Sequence, residues 1–94
     1  MSVRIPFDAV AELGPAFKKY RKAVSVTQQY LHEKTGVALS TISAFENGKG
    51  QGLSLIHFAS ILNAVGLLDR IDGIIPDVPG QDLERMWKRL NRNK

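Results

Sequence analysis

An all-α fold of five or six short helices is what this 94-residue chain predicts. Apolar residues recur three and four positions apart in the segments Phe17 to Val24, Leu55 to Val65 and Leu83 to Leu90, the spacing that lines up one face of a helix. Starts and stops are also spelled out. Thr27 and Ser54 are residues whose hydroxyls accept the orphan amides of a helix start, and Gly36 and Gly66 can take the left-handed conformation that ends one.

In order, Met1 to Ile5 reads as an arm whose one charged side chain is Arg4, and Pro6 and Asp8 open a short helix running to Leu13. Gly14-Pro15 is expected to interrupt it, because proline is accepted in a first turn and not in an interior. The main first helix then runs from Pro15 to about Ala23, with Phe17, Tyr20, Arg21 and Val24 toward the core and Lys18, Lys19 and Lys22 outward. A charge on the inner face, Arg21, requires a partner. The chain divides accordingly into residues 1–14, a domain over 15–76 and a tail over 77–94.

The segment TQQYLHEKTGVALSTISAFENGK, residues 27 to 49, reads as two short helices joined at Gly36. Leu31, Ile42 and Phe45 pack the pair together and Val37 covers the turn. The opposite side of the second helix is small and polar, with Ser40, Thr41, Ser43 and Ala44. A helix of that kind can enter the major groove of DNA.

Ser54 caps a helix with an apolar stripe of Leu55, Phe58, Ile61, Leu62 and Val65. After Gly66, the run LLDRIDGII offers Leu68, Ile71, Ile74 and Ile75 as a further apolar edge, stopped by Pro76. Asp77 to Gly80 is a turn, and Gln81 to Lys94 forms a basic amphipathic helix. Its Leu83, Met86, Trp87 and Leu90 sit among Arg85, Lys88, Arg89 and Arg92. Three roles fit this tail: packing on the domain or its dimer mate, a second contact to a DNA backbone, or docking of another protein.

Composition removes several classes of function. There is no cysteine, hence no disulfide framework, thiolate nucleophile or cysteine metal site. His32 and His57 assemble no recognisable zinc site, no catalytic set stands out, and neither a cofactor nor an enzyme is expected. The GKGQG run at 48–52 lacks the preceding strand and the terminal G-K-[ST] of a nucleotide-phosphate loop. No apolar run reaches the roughly 20 residues of a membrane helix, and no signal peptide opens the chain, so a cytoplasmic protein away from membranes is expected.

The net charge is +4, distributed as basic, acidic and basic segments. Lys18, Lys19, Arg21, Lys22, Lys34 and Lys49 outnumber Glu33 and Glu46, whereas Asp69, Asp72 and Asp77 dominate the following stretch. The first segment suits a polyanion.

Thr27-Gln28, Leu31, Gly36-Val37, Thr41-Ile42-Ser43, Phe45-Glu46-Asn47-Gly48-Lys49 and Leu53-Ser54-Leu55 stand in the order seen in the lambda-repressor-like (Cro/CI, XRE-type) helix-turn-helix regulators, which the chain resembles over roughly residues 13 to 75. The resemblance implies that Leu39, Ser40, Ser43 and Ala44 face DNA bases and that Gln28, Thr41, Asn47 and Lys49 meet phosphates. Lys18 and Lys22 join the phosphate set by charge. It further implies an ion pair between Arg21 and Glu46 and a twofold contact around Leu67, Leu68, Ile71 and Ile75.

None of the base-facing residues forms a bidentate base pair contact; Leu39 and Ala44 can touch thymine methyls, and Leu39 equally suits a core. The chain departs from the family at His32, where relatives carry a small residue, and at Ala38, where many carry a capping serine. His32 either widens the helix pair or turns outward beside Glu33, as a hydrogen-bonded histidine or a pH-sensitive one. At Ala38 the helix start loses a cap unless Ser40 or Thr41 begins it later.

The function this implies is a homodimeric, sequence-specific repressor at a palindromic operator on double-stranded DNA, nucleoid-associated when bound. Alternatives are an antitoxin that represses its own operon and binds a toxin kinase, and a helix-turn-helix module kept for protein interaction.

Overall fold

Pro6 occupies the first turn of α1 (Pro6–Ala23), where its missing N–H has no helical partner to lose. The structure is a computed structural model described over residues 4–77 and 81–91, with the side chains of 81–83 outside the description. Contrary to the expected break at Gly14-Pro15, α1 is one continuous 18-residue helix, so a division of the chain at residue 14 falls inside it. Pro15 costs the helix one amide donor. Gly14 matters for its missing side chain, since it is buried and a Cβ built on it would lie 1.5 Å from the carbonyl oxygen of Phe45. Glycine therefore lets α1 rest directly on the backbone at the end of α3, and this packing outweighs a local preference to stop.

After Ala23 the chain turns through Ser25 in the left-handed region (φ 61°), with Ser25 N–H donating to the Lys22 carbonyl and Val26 N–H to the Arg21 carbonyl. Then α2 (Gln28–Thr35) begins at Thr27, whose hydroxyl accepts from the Tyr30 amide at 3.0 Å, and ends at Gly36 with φ 75°. α3 (Leu39–Glu46) follows after Val37 and Ala38. α4 (Leu55–Ala64) starts at Ser54, whose side chain accepts from the His57 amide. A single 3-10 turn covers Leu68–Ile71, and α5 spans Gln81–Asn91. Among the described residues there is no strand.

The core is formed where α1, α2, α3 and α4 converge: Phe17, Leu31, Val37, Ile42, Phe45, Ile61 and Leu62 are buried together. Phe45 is its centre, with the rings of Phe17 and Phe58 tilted against it at 5.6 and 5.8 Å. Val26, Leu53, Phe58 and Ile71 close the edges.

Three expectations about faces change. On α1, Phe17 and Arg21 are buried, but Tyr20 and Val24 are 39% and 43% exposed, because the inner face is narrow and meets α3. On α4, Leu55 is exposed, since the first residue of the helix projects past the core and Leu53 packs in its place. The apolar edge after Gly66 is helical only through Ile71; Gly73 takes φ 86°, and Ile74 and Ile75 stand in solvent.

Candidate nucleic-acid interface

The exposed helix α3 is held from its carboxyl end. Arg21 on α1 reaches Glu46 at the last turn of α3 as a fork, Nε to Oε2 at 2.6 Å and Nη2 to Oε1 at 2.8 Å. Its remaining Nη1 donates to the Val26 carbonyl at 2.7 Å, and the Gln28 amide donates to Glu46 Oε1 at 2.9 Å. Glu46 is 2% exposed and Arg21 6%. Burial alone would push the Glu46 carboxyl up; the hydrogen bonds from Arg21 and Gln28, with the Arg21 and Lys18 charges, outweigh it and leave the pKa below its ordinary value. The hydrogen bond to Glu46 and its charge raise the Arg21 pKa against the lowering by burial. One bidentate pair thus ties α1, the α1–α2 turn, the start of α2 and the end of α3 into a fixed geometry.

The turn between α2 and α3 is locked as well. His32 is half-buried, and its Nδ1 lies 2.8 Å from the Val37 carbonyl; since a carbonyl only accepts, Nδ1 carries the proton. Thr35 Oγ1 donates to the Leu31 carbonyl and accepts from the Val37 amide. The histidine that replaces a small residue therefore acts as a strut across the turn, its ring turned onto backbone.

Ala38 sits in the N-cap position of α3 with extended backbone (φ −61°, ψ 144°) and no side-chain cap. Its geometry suits a serine. Ala38→Ser should raise stability by about 1 kcal/mol, through a hydroxyl accepting an orphan amide of the first turn, and thermal or urea unfolding measures this directly. An unchanged midpoint would show that these amides are already satisfied.

The outer face of α3 carries Leu39 and Ser40 exposed and Thr41, Ser43 and Ala44 half-buried. Leu39 is 40% exposed, so it is a surface residue and not part of the core. Two shallow depressions flank the helix. One, about 240 Å³, is lined by Ser40, Thr41, Ala44, Lys49, Gly50 and Leu53. The other, about 460 Å³, brings Lys18, Lys19 and Lys22 of α1 to Asn47 and Glu46 at the end of α3. Leu39, Ser43 and Gln28 line neither, and the Gln28 side chain is already engaged by Glu46, leaving one of its amide hydrogens for any further acceptor. Lys19 is a lining residue that the phosphate set read from sequence omits; the outward run Lys18-Lys19-Lys22 is the signal for it. Gly50 leaves room for Phe45, since a Cβ there would lie 2.7 Å from the ring, so the loop after α3 hugs the core and brings Lys49 back beside Ser40.

Chemically this is a small polar helix with cations on both sides, suited to an extended polyanion with readable edges. Of Leu67, Leu68, Ile71 and Ile75, assigned to a twofold contact, Leu67 and Ile71 are half-buried against the core, which leaves Leu68 and Ile75, 44% and 80% exposed, as surface residues. Among the described residues no helix is long and apolar enough to cross a membrane.

A helix-turn-helix family model matches residues 17–67, more than half of the chain and the whole of α2, α3 and α4. No curated protein and no solved structure matches the chain. With these residues arranged as an all-helical domain around an exposed α3, the protein belongs to the lambda-repressor-like, XRE-type helix-turn-helix family of DNA-binding transcription regulators.

Proposed function

We propose that the protein is a homodimeric repressor that places two copies of α3 in successive major grooves of a palindromic operator. The observation that carries this is the exposure of the polar face of α3 between two lysine-bearing depressions. Ser40, Ser43, Ala44 and Leu39 face base edges, and Lys18, Lys22, Thr41, Asn47 and Lys49 meet the backbone. Gln28 adds its free amide hydrogen beside the start of α2, where helix-end amides also point. The recognition face has neither arginine nor glutamine, so direct readout is modest and DNA shape supplies part of the specificity. Two protomers joined near Leu67, Leu68, Ile71 and Ile75 would present their α3 helices about 34 Å apart.

Three lysines per protomer give the dimer about six phosphate contacts, which corresponds to a roughly thousandfold loss of affinity between 50 and 200 mM salt. Fluorescence anisotropy on a duplex selected from random DNA measures this. Lys49→Ala should weaken all sequences alike and reduce the salt slope by about 1 per protomer, whereas Ser43→Ala should alter the base preference. Salt-independent affinity, or selected sites without twofold symmetry, would contradict the proposal.

A further inference from the structure

An apolar groove of about 420 Å³ lies away from α3, between α1, α4 and the 3-10 turn. Leu13, Ala16 and Tyr20 of α1, Phe58 of α4, and Leu67, Arg70 and Ile71 at the 3-10 turn line it. The charged residue of the lining is Arg70; Asp69 is next to it on the 3-10 turn, and Asp72 and Asp77 follow on its continuation, outside the lining. The groove runs between Leu13 and Tyr20, seven residues or about 10 Å along α1.

The same chain carries an apolar face without a counterpart. α5 packs on no other helix among the described residues, and the molecule measures 47 × 24 × 22 Å with a radius of gyration of 16.3 Å, against about 12 Å for a compact chain of this length. On α5, Met86, Trp87 and Leu90 are 43%, 64% and 74% exposed and share one side of the helix. Arg85 and Arg89 lie beside that stripe, while Lys88 is paired with Glu84. From Met86 to Leu90 the stripe covers about 6 Å of helix axis, which fits within the groove. A basic-flanked apolar ridge and an apolar groove long enough to take it thus occur on one small chain, the groove beside a segment, residues 69–77, that carries three aspartates and one arginine.

From this fit we infer that α5 of one protomer seats in the α1–α4 groove of a second copy, with Trp87 over Phe58 and Arg85 or Arg89 reaching Asp69 or Asp72 beyond Arg70, and that the exchange is reciprocal. Two copies of one ridge and one groove close the assembly about a twofold axis. The inference rests on the homodimer reading and extends its contact from Leu67 and Ile71 into the groove.

Trp87 is the chain's one tryptophan and so reports on this contact directly. Light scattering and tryptophan emission are followed on the full chain from high to low concentration. The expected result is a dimer mass with blue-shifted emission, both lost together on dilution. Leu13→Asp and Ala16→Asp, both in the groove and outside the Leu67–Ile75 contact, should redden the emission and halve the mass, and Trp87→Ala should weaken the dimer at least roughly 30-fold, the scale of an aromatic anchor. Circular dichroism checks that each variant is folded; Leu13 and Ala16 are exposed, and Trp87 stands off the core.

A dimer mass with red emission throughout overturns the α5 contact while leaving the twofold reading in place. It would leave α5 to another macromolecule. Blue emission retained in the diluted monomer means that α5 folds onto its own groove, and blue emission unmoved by Leu13→Asp and Ala16→Asp means that the two α5 helices pair with each other; either overturns the inference. A monomer with red emission at all concentrations overturns the inference and the homodimer together.

Discussion

Gly14→Ala is expected to be among the most damaging single substitutions in this protein, although it replaces glycine by the best helix former in the middle of a helix. Helix propensity alone favours alanine there by about 1 kcal/mol. The tertiary term has the opposite sign and is larger. The new Cβ would lie 1.5 Å from the Phe45 carbonyl oxygen and 2.5 Å from its carbon, and both are backbone atoms that no rotamer change can move away. Relief requires α1 and α3 to separate, which opens the Phe17–Phe45 contact and draws Arg21 from Glu46. A loss at or beyond the upper end of about 1–3 kcal/mol follows. In a domain whose total stability is on the order of 5–15 kcal/mol, that lowers the urea midpoint substantially. Ala16→Gly, on an exposed site two residues along the same helix, is the control and should cost only about 1 kcal/mol. Equal unfolding midpoints for Gly14→Ala and the unsubstituted protein would show that the helices do not meet at this point.

Glu46→Ala should cost about 3–5 kcal/mol, because it leaves the Arg21 guanidinium buried with a single carbonyl acceptor and removes the acceptor of the Gln28 amide. The double substitution Arg21→Met with Glu46→Leu removes both charges and should recover most of that loss, since a buried ion pair contributes orientation more than net stability. Failure of the double variant to recover would mean that the pair itself is strongly stabilising.

The same pair sets an acid limit. The folded Glu46 pKa lies below its ordinary value, so the unfolded chain takes up its proton first as pH falls. Its contribution is complete above about pH 4.3, the unfolded carboxyl value, and is lost as pH falls further toward and through the lower folded value. Arg21, held charged in both states, adds no slope in that range. The difference in unfolding free energy between the protein and Glu46→Gln should therefore be flat at neutral pH and shrink below about pH 4.3. A constant difference down to about pH 2.5, well under the ordinary carboxyl value, would show that Glu46 is not held ionised by Arg21.

Much of the helical framework is legible in the residues because its determinants are local. Thr27 and Ser54 cap through their own hydroxyls, and Gly36 and Gly66 take the positive φ that ends or follows a helix. The polar face of α3 is legible from spacing, and Leu39, which suits surface or core equally, is placed on the surface by the structure. Gly14-Pro15 misleads because it has a strong local meaning, whereas its actual use depends on what α3 places against it. Periodicity assigns Tyr20, Val24 and Leu55 inward, but each helix here buries a stripe narrower than its apolar content. His32 illustrates the same limit: its bond to the Val37 carbonyl depends on a turn whose shape only the folded pair defines.

By itself, then, the sequence determined the helical class, the capped boundaries of α2 and α4, the small polar face of α3 and the alternation of charge along the chain, since each follows from a residue and its neighbours within a turn or two. The tertiary structure decided the unbroken course of α1 over Phe45, the three-way grip on Glu46, and the groove that faces solvent while α5 stands apart from it. Those depend on distances between segments well separated along the chain, by 25 residues for Arg21 and Glu46 and by 31 for Gly14 and Phe45, and such distances are set by how the faces pack together.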